Sequence, residues 1–140
     1  MKLFFLLAFI TLATVTNGQQ QSQNLFKIST FKDVPENMEG CGENFFYNKQ
    51  DEKTERYILY TDYIRALICV NNKMIVIKGD DKHSNKKNHI FSNKDYTLII
   101  KYGKEKTTGD ESYEIKSAII TLKYHSKVVW TKSVIGGGGC

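Results

Sequence analysis

The chain has 140 residues, 20 basic against 15 acidic side chains, a formal charge of +5 and a pI near 9.0. That length fits one modest domain, and charges of both signs alternate along it, the pattern of a solvated mixed surface and not of a nucleic-acid-binding tail. Three cysteines, three histidines and a single proline leave little material for a metal cluster.

The chain opens with "MKLFFLLAFITLATVTNG": one charge at Lys2, an apolar run from Leu3 to Ala13, and small residues before Gly18. This is the layout of a secretory signal, too short in its apolar core to span a bilayer, so cleavage is expected after Gly18. The protein is expected to be exported, periplasmic or extracellular, with no transmembrane segment. Residues 19–24 form a polar lead expected to be disordered, and residues 25–140 are expected to form a single β domain. Without Lys2 the balance is 19 basic to 15 acidic residues.

From residue 25 onward, short runs rich in β-branched and aromatic residues follow one another. They are "LFKIST", "ENFFYNK", "ERYILYT", "YIRALICV", "KMIVIKG", "YTLIIKY", "SYEIKSAIITLKY" and "KVVWTKSVI". Helical spacing is sustained nowhere, so the expected fold is all-β, a small antiparallel barrel or sandwich of about eight strands. In "YIRALICVNNKMIVIKG", Ile64, Ala66, Ile68 and Val70 alternate, and Asn71-Asn72 suits a tight turn. Met74 and Val76 are expected to resume the same face. Residues 112–124 carry apolar side chains on both faces, which predicts a central strand. "GKEKTTGDE" reads as a charged hairpin loop. Phe45, Phe46 and Tyr47 are more readily core residues than an exposed stacking platform.

Cys41, Cys69 and Cys140 leave one cysteine over. In an oxidising compartment Cys41 with Cys140 is the favoured disulfide, with the "GGGG" before Cys140 acting as a hinge that turns the last strand back. An intermolecular bond through Cys140 is the alternative, giving a monomer or a weak dimer. Cys69 reads as a small buried hydrophobe.

No catalytic residue, cofactor or metal site is expected, and the chain does not read as an enzyme. His83 and His89 are six residues apart among lysines, a spacing that fits no zinc pattern. Asp80 and Asp81 lack the rest of a calcium loop. No glycine-rich phosphate loop is present, so no nucleotide is expected. A hydrolase-type site would need His125 or His89 beside Cys69 or Ser92.

The candidate binding residues are the loop lysines Lys82, Lys86 and Lys87, together with Ser92, Lys94 and Tyr96. Clustered lysines suit another protein or an anionic envelope polymer as the partner, against the plainer reading of a mobile solvated loop.

The segments "GCGENFFYN" and "YIRALICVNNKMIVIKG" and the glycine-rich cysteine end resemble uncharacterised small secreted proteins of Bacteroidetes-type bacteria. That resemblance implies an exported or envelope-associated binding domain. "SNKDY" is also similar to the loop motif of periplasmic C-type lysozyme inhibitors, with Asn93 in place of the motif's glycine. It implies a lysozyme-contacting role for Ser92, Lys94 and Tyr96. The net positive charge of the chain runs against a cationic lysozyme partner.

Overall fold

The computed structural model describes residues 25–140. The signal segment and polar lead expected over residues 1–24 lie outside the described residues. Ten strands form one antiparallel sheet. They are β1 (Ile28–Ser29), β2 (Gly42–Phe46), β3 (Leu59–Thr61), β4 (Arg65–Val70) and β5 (Lys73–Lys78). The series continues with β6 (Asn88–Ser92), β7 (Tyr96–Tyr102), β8 (Glu105–Thr107), β9 (Ser112–Tyr124) and β10 (Lys127–Gly139).

The path through the sheet runs β5-β4-β3-β2-β10-β9-β7-β6, with β1 beside β4 and β8 beside β9. The sheet curls into a half-barrel. Its outermost strands meet at one point, where Gly79 bridges Phe91 and the Asp80 N–H donates to the Ile90 carbonyl at 2.7 Å. The concave side is filled by Phe45, Leu59, Ala66, Ile68, Val70, Ile77, Phe91, Leu98, Ile100, Ile115, Ile120 and Leu122, all buried in one cluster. A smaller cluster lies on the convex side, where Met38, the last residue of a single 3-10 turn (Glu36–Met38), packs onto Tyr60 and Leu67. The only other helical element among the described residues is one turn, α1 (Lys49–Lys53). Asn48 caps it by accepting from the Gln50 and Asp51 N–H groups.

The Asn71-Asn72 hairpin forms as expected, with φ of 50° and 62° at its two turn residues. Its phase differs from the sequence reading. A two-residue turn places Val70 opposite Lys73, so Ile68 faces Ile75 and Ala66 faces Ile77. Ile75 and Ile77 therefore continue the core face, while Met74 and Val76 are exposed, as is Ile64 before the strand. Strand β9 is central, between β10 on one side and β7 with β8 on the other. Its two-faced pattern comes from a bulge: Ala118 pairs with Val134 and Ile115 with Gly136, so two β9 residues oppose Ile135 alone. The N–H groups of Lys116 and Ser117 both donate to the Lys104 carbonyl. The extra residue lets Ile115 and Ala118 both point inward despite their odd spacing.

Two strands have little apolar signal. β6 takes in Asn88 and His89 from the supposed loop, and β8 occupies part of "GKEKTTGDE"; both are imposed by pairing with β7 and β9.

The largest correction concerns the glycines. Gly136–Gly139 do not form a hinge: they are the last four residues of β10, paired with β2 on one side and β9 on the other. Gly139 lies opposite Gly42, so the next pair along is Cys140 with Cys41. These two form the disulfide, with a Cα–Cα distance of 4.2 Å. The bond extends the ladder by one step. Glycine in a strand interior costs roughly 0.5–1 kcal/mol each relative to alanine. Two-sided pairing and a disulfide closing a loop of about 100 residues, of order 4–5 kcal/mol in the chain-entropy picture, offset that cost. Cys69 is the free thiol and is buried.

Candidate functional site

Alternation along β2 puts Glu43 on the same side as Phe45, toward the core. Glu43 is 3% exposed. It sits at the end of the half-barrel where the apolar filling stops. Across the sheet from it lies Gly138, and across from Gly138 lies Tyr113. A Cβ on Gly138 would stand 2.6 Å from the Tyr113 ring and hydroxyl and 2.9 Å from the Glu43 Cγ. The missing side chain is what allows Tyr113 to lie over β10 and reach Glu43. Its hydroxyl donates to Glu43 Oε1 at 2.5 Å, and the Tyr102 hydroxyl, from the end of β7, donates to Oε2 at 2.6 Å.

A third tyrosine completes the group. Tyr63, in the turn between β3 and β4, places its hydroxyl 3.2 Å from that of Tyr113 and 3.3 Å from the Gly42 carbonyl oxygen. Tyr113 has already given its one proton to Glu43, so the single Tyr63 proton is shared between the Tyr113 oxygen and the Gly42 carbonyl, both of which can only accept it. Tyr63 holds φ of +68°, a left-handed conformation unusual for an aromatic residue. Its surroundings enforce that conformation. The Tyr63 N–H donates to Thr61 Oγ1 at 2.9 Å, and Asp62 accepts from the Ile64 and Arg65 N–H groups and from the Arg65 guanidinium.

These residues floor an open cleft of about 400 Å³ whose remaining walls are Ser84, Asn85, Lys86, His89 and Glu105. Burial raises the Glu43 carboxyl above the usual carboxylate range, opposed by the two tyrosine hydrogen bonds and reinforced by nearby Glu105. Burial and then the Glu43 charge and hydrogen bond raise Tyr102. Burial, then hydrogen bonds with Glu43 and Tyr63, raise Tyr113. Both phenols stay protonated. Burial lowers His89, against a smaller pull from Asp81.

The sequence-derived candidates are divided over the molecule. Lys86 lines the cleft, and Lys87 adjoins it through its carbonyl, which accepts from the Tyr102 N–H. Lys82 is exposed in the same loop. That loop is tied down at several points. His83 meets Asp80 at 2.8 Å, Ser84 Oγ accepts from the Ile90 N–H, and Asn85 accepts from the Lys87 and Asn88 N–H groups.

Lys94 and Tyr96 lie at the other end of β6 and β7, about 20 Å from Tyr102 at ordinary strand rise. Lys94 is exposed in a short turn closed by Asn93, and the Tyr96 ring packs on Tyr124 at 5.2 Å. Ser92 donates to Asp80 Oδ2 at 3.2 Å. The hydrogen-bond partner of Ser92 is therefore a carboxylate, and His125 meets Asp95. Among the described residues no group of His, Cys, Asp and Glu side chains has the makings of a metal site.

A larger groove of about 680 Å³ at that end is lined mainly by Leu25, Phe26, Tyr124, Val128, Val129 and Trp130. Lys127 and Thr131 add polar side chains to that mainly apolar lining. The residues of the Glu43 cleft carry no sequence motif. The legible flag was a carboxylate two positions before Phe45 in "GENFF", in phase with a core residue. No protein-family model, curated protein or solved structure matches this chain.

Proposed function

We propose that this protein is an exported binding domain whose ligand sits in the cleft over Glu43. One observation carries the reading: a carboxyl buried to 3% exposure at the cleft floor, held from both sides by tyrosine hydroxyls. A buried ionisable group on a rigid strand is costly, and such groups concentrate where a protein recognises or transforms something. Binding is favoured over catalysis because no nucleophile stands within hydrogen-bonding distance of a histidine base among the described residues. The Cys41–Cys140 disulfide supports export, since such bonds persist in oxidising compartments. Lys86 lines the cleft from the lysine loop, so that loop borders the same site.

The test is a ligand screen by NMR on the folded protein with its disulfide intact, using cationic, neutral and anionic small solutes and soluble glycans. Binding is expected to shift the ring signals of Tyr63, Tyr102 and Tyr113 in a saturable way. If every hit mapped elsewhere, to the Trp130 groove or the Lys94 turn, the cleft reading would be rejected.

A further inference from the structure

Resting on that reading of the cleft, we infer that its ligand is an organic cation, a primary or quaternary ammonium group, seated against the Glu43 carboxylate and the faces of Tyr63, Tyr102 and Tyr113. The balance of donors and acceptors points to this class. Glu43 accepts from Tyr102 and Tyr113, and the single Tyr63 proton goes to the Tyr113 oxygen or the Gly42 carbonyl, so all three phenolic protons are already engaged within the protein. What the phenols have left are oxygen lone pairs and ring faces. A floor of this kind accepts hydrogen bonds and offers none, and the group that complements it brings donors or positive charge.

Charge leads to the same class. Burial disfavours the charged form of Glu43, and a cation seated beside its two tyrosine-held oxygens would favour it. Buried ionised carboxylates are normally paired with a cation. Glu43 has no such partner: none of the ion pairs among the described residues includes it. Glu105 adds a second negative charge to the wall, and burial keeps His89 toward its neutral form. Lys86 is the one basic chain lining the cleft, exposed on the loop and without an ion pair among the described residues. Aromatic faces beside a carboxylate stabilise ammonium groups through the ring quadrupole, more strongly as water is displaced. Among the described residues the cleft brings together no metal-holding group of carboxylates, histidines or cysteines, whereas an organic ammonium can use the ring faces and the remaining phenol lone pairs.

The experiment titrates the intact protein with tetramethylammonium, methylammonium, tert-butanol as the neutral isostere, and inorganic phosphate, at constant ionic strength. The tyrosine ring signals are followed by NMR. At least one ammonium probe is expected to shift Tyr63, Tyr102 and Tyr113 saturably, with neutral and anionic probes at least about tenfold weaker. Glu43→Gln is expected to weaken the ammonium response by about tenfold or more. Glu105→Gln, at an exposed position that leaves the fold intact, gives a smaller loss in the same direction. Lys86→Ala tightens binding by removing the competing cation.

Preferential binding of tert-butanol or phosphate at the same tyrosines would overturn the ammonium assignment while leaving the cleft as the binding site. An ammonium response unchanged by both Glu43→Gln and Glu105→Gln would overturn it as well. Silence of the tyrosine signals to every probe would overturn the assignment and count against the cleft itself.

Discussion

The two ends of β10 do opposite work. From Lys127 to Ile135 the strand carries side chains, and Val134 is buried with Ala118 and Ile120 in the core. From Gly136 to Gly139 it carries none, though it is paired on both sides all the way. At the first end a strand fills space; at the second it vacates space, and Phe45, Tyr113 and Glu43 use the room. The polar cluster is possible because the strand between its members has no side chains. A bare central strand shapes a site as definitely as a set of functional residues does.

The sharpest break of this contrast is Gly136→Val. A Cβ there runs into the Asn44 carbonyl oxygen and comes within 3.1 Å of the Phe45 ring. Backbone cannot yield cheaply, so a loss of about 3 kcal/mol or more is expected. Denaturant unfolding would show it as a fall in midpoint; parental stability would mean the glycine end is loosely paired.

Cys140→Ser comes next. The disulfide constrains the unfolded chain by up to about 4–5 kcal/mol, of which measured losses commonly show only part, so Tm is expected to fall by about 10 °C, measured by calorimetry.

Gly138→Ala should cost less, about 2 kcal/mol, because the Tyr113 ring can swing away. It should also abolish the Tyr113–Glu43 hydrogen bond, seen as loss of the slowly exchanging Tyr113 hydroxyl proton. Gly137 points to the other face, and a Cβ there meets nothing nearer than the Tyr113 carbonyl oxygen at 3.2 Å. Gly137→Ala is therefore expected to stay within about 1 kcal/mol of the parent, keeping that hydroxyl signal.

The smallest effect is in pH dependence. The Glu43 pKa is raised in the folded state above its ordinary value of 4.5. Its contribution to stability is thus fully present below that value and is lost as pH rises through the raised one, by about 1.4 kcal/mol for each pH unit that separates the two. Glu43→Gln lacks this loss. Relative to the parent, the variant should gain stability between acid and neutral pH, a trend read from Tm at several pH values. A constant difference would mean that Glu43 titrates normally.

Much of the sheet was readable because its strands announce themselves by composition. "YTLIIKY" and "SYEIKSAIITLKY" match β7 and β9 residue for residue, and Asn-Asn marked the hairpin turn. Phase was harder. Met74 and Val76 look equivalent to Ile75 and Ile77 in sequence, and only the two-residue turn decides which pair faces inward. β6, β8 and the glycine end of β10 were hidden because their extended state comes from neighbours, against weak or contrary intrinsic preference.

The candidate site was the least legible. Its four members come from β2, the β3–β4 turn, β7 and β9, and only the ladder through Gly138 makes Glu43 and Tyr113 neighbours. The lysine loop is conspicuous because charge is visible in a sequence and vacancy is not. The Cys41–Cys140 pairing was the favoured reading, but its cause differs. The sheet register brings the two residues together, and the glycines carry that register to the end.

Amide hydrogen exchange on the Cys140→Ser protein tests this most directly. If β10 is a strand held by β2 and β9, the amides of Gly136, Gly137 and Gly138 should stay protected to a degree comparable with Ile120, even without the covalent bond. Exchange of those glycine amides at unstructured rates, with the rest of the sheet still protected, would show that the disulfide alone orders the tail, and the account of the glycine strand as the floor of the site would be wrong.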